Sequence, residues 1–190
     1  MSYPFKTILR LLLVLGLAAS ISAPAAAQLT RELKFLSNVK KGEHHEVEVM
    51  LLSGINYNTR DIDGKPALII AIENGDGEMV SLLLDAGADP DIVDRKSGEV
   101  PLTLAAARNN ADLVGRLLAK GANPNVPNKQ YETALIKAVS NDNRRMVSML
   151  MEHGADPDWQ DFTGHSAIWY AEASRRPGLL KLLKPAAPGQ

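Results

Sequence analysis

The nine residues LLDAGADPD (83–91) recur at two later places in the chain, as LLAKGANPN (117–125) and LMEHGADPD (150–158). A looser copy, MLLSGINYN, stands earlier, at 50–58. Each copy contains a glycine after its apolar residues, at Gly54, Gly87, Gly121 and Gly154. These glycines are 33, 34 and 33 residues apart. A fixed period of this length is the sequence signature of a repeat architecture, in which similar units stack on one another.

Within each unit the residue pattern predicts two helices joined by a turn and followed by a loop. Apolar residues recur ahead of each glycine, which predicts that the second helix packs on the core. The glycine can end that helix in the left-handed conformation, and the Asp/Asn-Pro-Asp/Asn segment after it cannot continue a helix. Thr133 and Ser166 are expected to cap first helices with their hydroxyl oxygens. Pro101 suits the first helical turn, where its missing N–H does no harm.

These units resemble the ankyrin repeat, which has about 33 residues of β-turn and two helices and opens with a T-P-L-H-x-A motif. The first four motif positions hold different residues here, at 66–69, 100–103, 133–136 and 166–169. The motif's alanine is present in all four units, as Ala71, Ala105, Ala138 and Ala171. The resemblance implies an all-α ankyrin-repeat solenoid of about five helix-turn-helix units, joined by β-hairpin-like loops.

The period divides the chain into a predicted repeat domain at 28–184. Its five units lie at about 29–58, 59–91, 92–125, 126–158 and 159–184. The first unit is rich in charge, as expected of a repeat that caps the array. The last unit is cut off by Pro185, and residues 185–190 are expected to form a flexible tail. Five units exceed the minimum of about three that a stable array needs.

The N-terminal segment, residues 1–27, is typical of a secretory signal peptide. Lys6 and Arg10 give it a positive start, residues 11–23 form an apolar run, and small residues at 25–27 predict cleavage after Ala27. An uncleaved membrane anchor is the alternative, although the apolar run is shorter than the roughly 20 residues that a spanning helix needs. The predicted location is therefore the bacterial periplasm or the outside of the cell, with no membrane span after cleavage.

Composition and charge exclude several classes of function. Cleavage would leave 21 − 2 = 19 basic residues against 22 acidic ones, a formal charge of −3, which gives no electrostatic basis for binding nucleic acid. The chain has no cysteine, which excludes disulfides, thiolate metal sites and cysteine nucleophiles. The segments 74–77 and 61–64 imitate nucleotide and calcium loops but lack the residues those sites need. We therefore expect a non-enzymatic protein without a cofactor.

The interpretation that the residues favour is a monomeric binding module: a scaffold, a stabilising partner or an inhibitor of another exported or envelope protein. Two alternatives stay open. His44 and His45 are a metal-like cluster that could serve a metal-handling or enzymatic protein, although they lack the H-x-x-x-H spacing of a helical metal site. The chain could also be an immunity protein that neutralises a toxin.

The resemblance also implies where a partner would bind, because ankyrin repeats usually bind through hairpin tips and the concave ends of their first helices. The residues at these positions are Ile62, Asp63, Lys65, Glu73, Asn74, Lys96, Ser97, Glu99, Arg108, Lys129, Gln130, Tyr131, Glu132, Trp159, Phe162, Thr163 and His165. Among them Tyr131, Trp159 and Phe162 are the predicted anchors, since exposed aromatic residues are typical of binding hot spots. Trp169 and Tyr170 are expected instead to close the end of the array.

Two of the predicted hairpins depart from the common pattern. The second hairpin, between Asp91 and Gly98, is one residue longer than the others, which accounts for the single spacing of 34. In the third hairpin Tyr131 stands where the other three have glycine. A tyrosine at a glycine position predicts an altered turn there.

Overall fold

The computed structural model describes residues 23–184, and side chains from residue 26 onward. This part of the chain forms ten helices in five consecutive pairs. The pairs are α1 (Ala23–Lys41) with α2 (His44–Leu52), α3 (Ala67–Asn74) with α4 (Gly77–Asp85), α5 (Pro101–Ala107) with α6 (Ala111–Ala119), α7 (Ala134–Ser140) with α8 (Arg144–Glu152), and α9 (Ala167–Ala173) with α10 (Pro177–Leu183).

The pairs stack in chain order into two layers. Each first helix contacts the first helix of the next pair, and each second helix contacts the next second helix. Isolated antiparallel bridges, Arg60 with Pro66 and Gln160 with Ser166, mark hairpin loops between pairs. The predicted all-α repeat solenoid is therefore confirmed.

The core lies between the two layers and repeats with the sequence. Leu83, Leu117 and Leu150 occupy the same position in successive second helices, and all three are fully buried. The motif alanines are also fully buried, which lets neighbouring first helices approach closely. Each unit thus buries its apolar face against the next one, which is how a repeat that cannot shield its own core becomes stable.

Helix caps set where the second helices begin. The side chains of Asp76, Asn110 and Asn143 each accept a hydrogen bond from the backbone N–H three residues later, at 2.9–3.0 Å. An Asp or Asn in this position satisfies an N–H that the helix itself leaves unpaired. These three residues therefore fix the turn between the two helices of each inner unit.

The predicted caps of the first helices are confirmed in one unit and wrong in another. Ser166 Oγ accepts from the Trp169 N–H at 3.2 Å, and Pro101 lies at the start of α5 as predicted. Thr133 has the extended backbone of a cap, but its side chain accepts no capping bond. Its Oγ1 is buried and has no hydrogen-bond partner within the described residues.

Both ends of the described array carry polar residues where the inner units have apolar ones. In the first unit Glu46 is exposed at the position where Met79 is fully buried. In the last unit Glu172 takes the place of the buried Val139, and its carboxylate pairs with Lys184 at 2.8 Å. Such replacements keep the two end faces compatible with water, as expected of capping repeats.

The predicted signal segment lies largely outside the described residues, as does the predicted tail at 185–190. Helix α1 begins at Ala23 and continues through the predicted cleavage point after Ala27. None of the helices between residues 23 and 184 combines the length and hydrophobicity that crossing a bilayer requires.

Candidate functional site

Four hairpin tips project from the array, one ahead of each of α3, α5, α7 and α9. We define them as tip 1 (61–65), tip 2 (94–99), tip 3 (128–132) and tip 4 (161–165). Each begins with an Asp or Asn whose side-chain oxygen accepts backbone N–H groups of the same loop. This local bonding pattern holds the loop in one shape and leaves the residues between its ends facing outward.

Contacts between neighbouring tips join them into one continuous edge, the tip row. Lys96 Nζ of tip 2 lies 3.1 Å from the Asp63 carboxylate of tip 1. Lys129 Nζ of tip 3 donates to the Lys96 carbonyl at 2.6 Å, and the Phe162 N–H of tip 4 donates to the Gln130 carbonyl at 2.9 Å. The predicted tip residues are therefore brought together in space although they come from four separate segments.

Large apolar side chains stand out from the tip row into solvent. Ile62 is 85% exposed, Phe162 is 81% exposed and Tyr131 is 57% exposed. Tyr131 and Phe162 belong to the adjacent tips 3 and 4, whereas Ile62 lies on tip 1. Two of the three predicted anchors, Tyr131 and Phe162, are thus placed where a partner can reach them.

The third predicted anchor, Trp159, is less exposed than the other two, and its contact with a partner stays a prediction. Its ring is half-buried and packs against the hydrophobic core. Its indole N–H donates to the Tyr131 carbonyl at 2.8 Å. Trp159 therefore supports the backbone of tip 3 from beneath.

The prediction of an altered turn at Tyr131 is wrong. Tyr131 adopts φ 59°, in the left-handed region where Gly64 and Gly164 lie with φ 84° and 79°. Its N–H donates to the Asn128 carbonyl at 2.9 Å, as the glycine N–H groups of tips 1 and 4 do in their own turns. The turn is kept, and the tyrosine is held in a backbone conformation that costs a residue with a Cβ about 1–2 kcal/mol.

Tip 2 is one residue longer than the others, as predicted, and its exposed charged side chains are cations. Asp94 N–H bonds to the Glu99 carbonyl across six residues, whereas Asp61 N–H bonds to Lys65 across five. The longer loop exposes Arg95 beside Lys96. Arg95 was missed as a site residue, although it directly follows the Asp that opens the tip, as Ile62 and Phe162 do in theirs.

Other predicted site residues take part in bonds within the protein. Ser97 Oγ and Thr163 Oγ1 donate to the first Asp of their own tips, both at 2.6 Å. Ion pairs join tip residues to the first helices that follow them, Lys65 to Glu73 and Glu132 to Lys137. Glu99 is half-buried, and burial raises the pKa of its carboxyl group. These groups shape the base of the tip row.

An aromatic cluster borders tip 4. The His165 ring stacks on Trp169 with centroids 3.6 Å apart, and Tyr170 packs edge-on to both rings. Trp169 is 43% exposed, so it covers the end of the array only in part, whereas the half-buried Tyr170 fits the closing role that was expected of both.

The Asp161 carboxylate anchors this cluster to tip 4. Burial opposes its ionisation, but hydrogen bonds from the hydroxyls of Thr163 and Tyr170 and from the backbone N–H groups of His165 and Thr163 lower the pKa of Asp161 to about 2. The Tyr170 hydroxyl donates to it at 2.7 Å. A carboxylate bonded in this way remains charged at all ordinary pH values and fixes the position of tip 4.

Residues at the far ends of the first helices hold neighbouring units together. Arg108 Nη1 donates to the carbonyls of Ile72 and Glu73 in the preceding unit, at 3.0 and 2.7 Å. Asn74 Nδ2 donates to the Lys40 carbonyl at 3.3 Å. These side chains satisfy helix carbonyls that would otherwise lack partners. Arg108 and Asn74 therefore have a structural role, and contact with a partner by them stays a prediction.

The two histidines considered for a metal site have different surroundings. His45 is exposed, whereas His44 Nε2 bonds to the Asp76 carboxylate at 2.8 Å and lies near Glu78. Between residues 23 and 184, no three His, Asp or Glu side chains are grouped so as to hold a metal ion. The arrangement of His44 is that of a link between α2 and the cap of α4.

We expect the His44–Asp76 link to make stability depend on pH. The hydrogen bond to Asp76 raises the pKa of His44, so its stabilising effect is complete below the unfolded value of 6.5 and is lost as pH rises through the folded value. Because His44 is partly exposed, replacing it by glutamine should lower Tm by no more than about 2 °C at pH 5.5 and by less at pH 9. Thermal melts of both proteins at the two pH values test this. An equal difference at the two values would contradict it.

The ionisation of Asp76 makes the stabilising effect of the same link depend on pH in the opposite direction. Burial opposes ionisation of Asp76, but hydrogen bonds from Met79 N–H and His44 keep its pKa below the usual 3.8. Its contribution is therefore complete above 3.8 and is lost as pH falls through the lowered folded value. The link is strongest between these limits, which is why pH 5.5 is the condition to compare with pH 9.

Comparison with known proteins agrees with the geometry. The family description "Ankyrin repeats (3 copies)" matches residues 7–94, 37–128 and 102–189, which together cover nearly the whole chain. An ankyrin repeat-containing protein of Treponema pallidum (strain Nichols) is 33% identical over 152 residues, which are 80% of this chain and 51% of that protein. The B-cell lymphoma 3 protein homolog of Mus musculus is 34% identical over 121 residues, 64% of this chain and 27% of that protein.

Several of the similar proteins are enzymes by name. The L-asparaginase of Dirofilaria immitis is 32% identical over 111 residues, 58% of this chain but 19% of the enzyme. The chain spans about half the length or less of these relatives, so the match does not carry an activity to it. Stacked helix pairs, hairpin tips and three overlapping family matches agree, and the chain belongs to the ankyrin-repeat family.

Proposed function

We propose that this protein is a non-enzymatic interaction module that binds another protein along the tip row. The observation that carries the proposal is Tyr131. Its side chain is mostly exposed and its backbone is held in the left-handed region, where tips 1, 2 and 4 have glycine. Backbone strain at a residue whose side chain is not packed in the core is typical of residues that are kept for binding or catalysis.

The neighbouring exposed residues support the same surface. Phe162, on the adjacent tip 4, adds a second exposed aromatic side chain beside Tyr131, and Ile62 is exposed on tip 1, beyond tip 2. Their loops are held by hydrogen bonds within each tip and between tips, so little conformational freedom would be lost when a partner binds. Aromatic side chains on a rigid surface are the residues that most often carry binding energy in protein interfaces.

We place this function in the bacterial cell envelope. The proposal is supported by the positive start, apolar run and small residues at 25–27, which are typical of an export signal. Fusing residues 1–30 to a reporter that is active only outside the cytoplasm tests it. Reporter activity equal to that of a fusion without the segment would contradict export.

A pull-down from envelope extract of the native host tests the binding surface. The tip variant carries Ile62→Ser, Tyr131→Ser and Phe162→Ser. The control variant carries Leu29→Ser, Val49→Ser and Leu52→Ser, which removes exposed apolar side chains away from the tip row. We expect the wild type and the control variant to capture the same specific protein and the tip variant to lose it. Equal capture by all three would exclude the tip row as the binding site.

A further inference from the structure

The exposed charged side chains in the middle of the tip row are all positive, although the whole chain has a net charge of −1. Arg95, Lys96 and Lys129 are exposed on tips 2 and 3. Lys96 pairs with Asp63 at 3.1 Å, while the Lys129 ammonium lies on the Lys96 carbonyl, which carries no full negative charge. The acids of the same two tips, Asp94, Glu99 and Glu132, equal these cations in number, so the formal charges cancel. These acids are buried or half-buried, however, and the exposed side of the stretch carries the cations.

The carboxylates nearest to this stretch are engaged elsewhere. Asp94 is buried and accepts hydrogen bonds from Ser97 Oγ and the Lys96 N–H. Glu132 pairs with Lys137 of α7. Arg60, beneath the tips, has its pKa lowered by burial and next by the positive charge of Arg95. The acids therefore lie below the surface of tips 2 and 3, and Arg95, Lys96 and Lys129 are the exposed charges that a ligand would meet.

Apolar groups lie immediately beside the cations, in a fixed order. Tyr131 belongs to the same tip as Lys129, and Phe162 follows on tip 4. The Phe162 N–H to Gln130 carbonyl bond keeps tips 3 and 4 in contact. A ligand that covers both parts must carry negative charge at one place and an apolar side chain next to it, because like charges or buried unpaired charges would oppose binding.

We propose that the tip row recognises an acidic segment of a protein, whose carboxylates meet Arg95, Lys96 and Lys129 and whose adjoining apolar side chain lies against Tyr131 and Phe162. This inference rests on the proposed function and names the chemistry of its partner. A nucleic acid is disfavoured because the cations are few and share the tip row with exposed apolar residues, whereas nucleic-acid surfaces are broadly basic.

Selection from a displayed library of random 12-residue peptides tests the inference without knowing the partner. The wild type is compared with a charge variant, Arg95→Glu, Lys96→Glu and Lys129→Glu, and with the tip variant. A matched control, Lys34→Glu, Lys41→Glu and Lys181→Glu, makes the same change in net charge away from the tip row. Circular dichroism establishes that each variant is folded before selection.

We expect peptides selected on the wild type and on the matched control to contain about twice the Asp and Glu of the starting library, together with an apolar residue. A leading peptide should bind the charge variant at least about tenfold more weakly, since three favourable charge pairs become repulsive. Its affinity for the wild type should also fall as salt is raised, because exposed pairs are screened.

Each other outcome overturns the inference in a distinguishable way. Selected peptides that need the tip residues but show no excess of acids would leave the proposed function intact and refute the acidic partner. Peptides that bind all variants equally would refute both. Binding of a single-stranded oligothymidylate, lost in the charge variant and present in the matched control, would identify a nucleic acid as the occupant instead.

Discussion

Replacing Leu117 by alanine is expected to lower the free energy of unfolding by about 2–5 kcal/mol. Leu117 lies on α6 in the third of five units and is fully buried between the two helix layers. The change removes buried apolar surface and leaves a cavity, which the surrounding helices can fill only in part because units on both sides hold them. Urea denaturation followed by circular dichroism measures the loss.

Leu52→Ala is the matched control for this prediction. Leu52 ends α2 and is 83% exposed, so the identical chemical change should alter the free energy of unfolding by less than about 0.5 kcal/mol. A loss of under 1 kcal/mol at Leu117 would show that the units do not pack as described.

The position of Leu117 also determines which units lose stability when it is replaced by alanine. In a stacked array the stability is approximately a sum of unit terms and nearest-neighbour interface terms. A cavity in the third unit weakens its interfaces with the units on both sides. Hydrogen exchange should therefore increase in α3 to α8 more than in α1 or α10. Uniform acceleration along the chain would indicate a single cooperative block.

The period of the sequence predicted the fold because each repeated residue is needed for a local backbone conformation or for its side-chain size. The glycines at 87, 121 and 154 all have positive φ at the ends of second helices, and the alanines at 105 and 138 are fully buried. Backbone conformation and side-chain size are properties that a sequence shows directly. Five helix pairs and their order followed from these positions alone.

The roles of single side chains were less predictable, because they depend on how units are offset when they stack. The Arg108 side chain donates to carbonyl groups of the preceding unit, and the Trp159 indole N–H donates to the Tyr131 carbonyl of tip 3. Both bonds join residues about 28–36 positions apart, and no local pattern shows them. Thr133 has the extended backbone of a cap and yet accepts no capping bond, which its place in the sequence did not show.

The exposed apolar residues of the tip row were predicted from the sequence, but one of its exposed cations, Arg95, was not. Ile62, Tyr131 and Phe162 could be placed on hairpin tips from their spacing to the glycines, and they are exposed there. Arg95 was missed because the extra residue in tip 2 shifts the alignment by one position. Counting from the Asp or Asn that opens each tip, instead of from the glycine, would have included it.

Replacing Tyr131 by glycine is expected to stabilise the protein while weakening its binding at least about tenfold. Glycine relieves the left-handed backbone, and the removed side chain is mostly exposed, so the free energy of unfolding should rise by up to about 1 kcal/mol, or Tm by about 2–4 °C. Loss of an exposed aromatic anchor should raise Kd, and tenfold corresponds to about 1.4 kcal/mol. Thermal melts and titration of the captured partner measure the two effects.

Arg175→Gly separates relief of strain from loss of contact. Arg175 has φ 53° in the turn between α9 and α10, where the second unit has Gly75, and it follows the end of α9 that lies away from the tips. It should therefore give a similar gain in stability and leave binding unchanged. If Tyr131→Gly stabilises the protein and binds as well as the wild type, the tyrosine is not kept for a partner. If neither substitution stabilises it, the left-handed backbone stores no strain. A gain in stability paired with a loss of binding at Tyr131 alone is the result that only a functional anchor can produce.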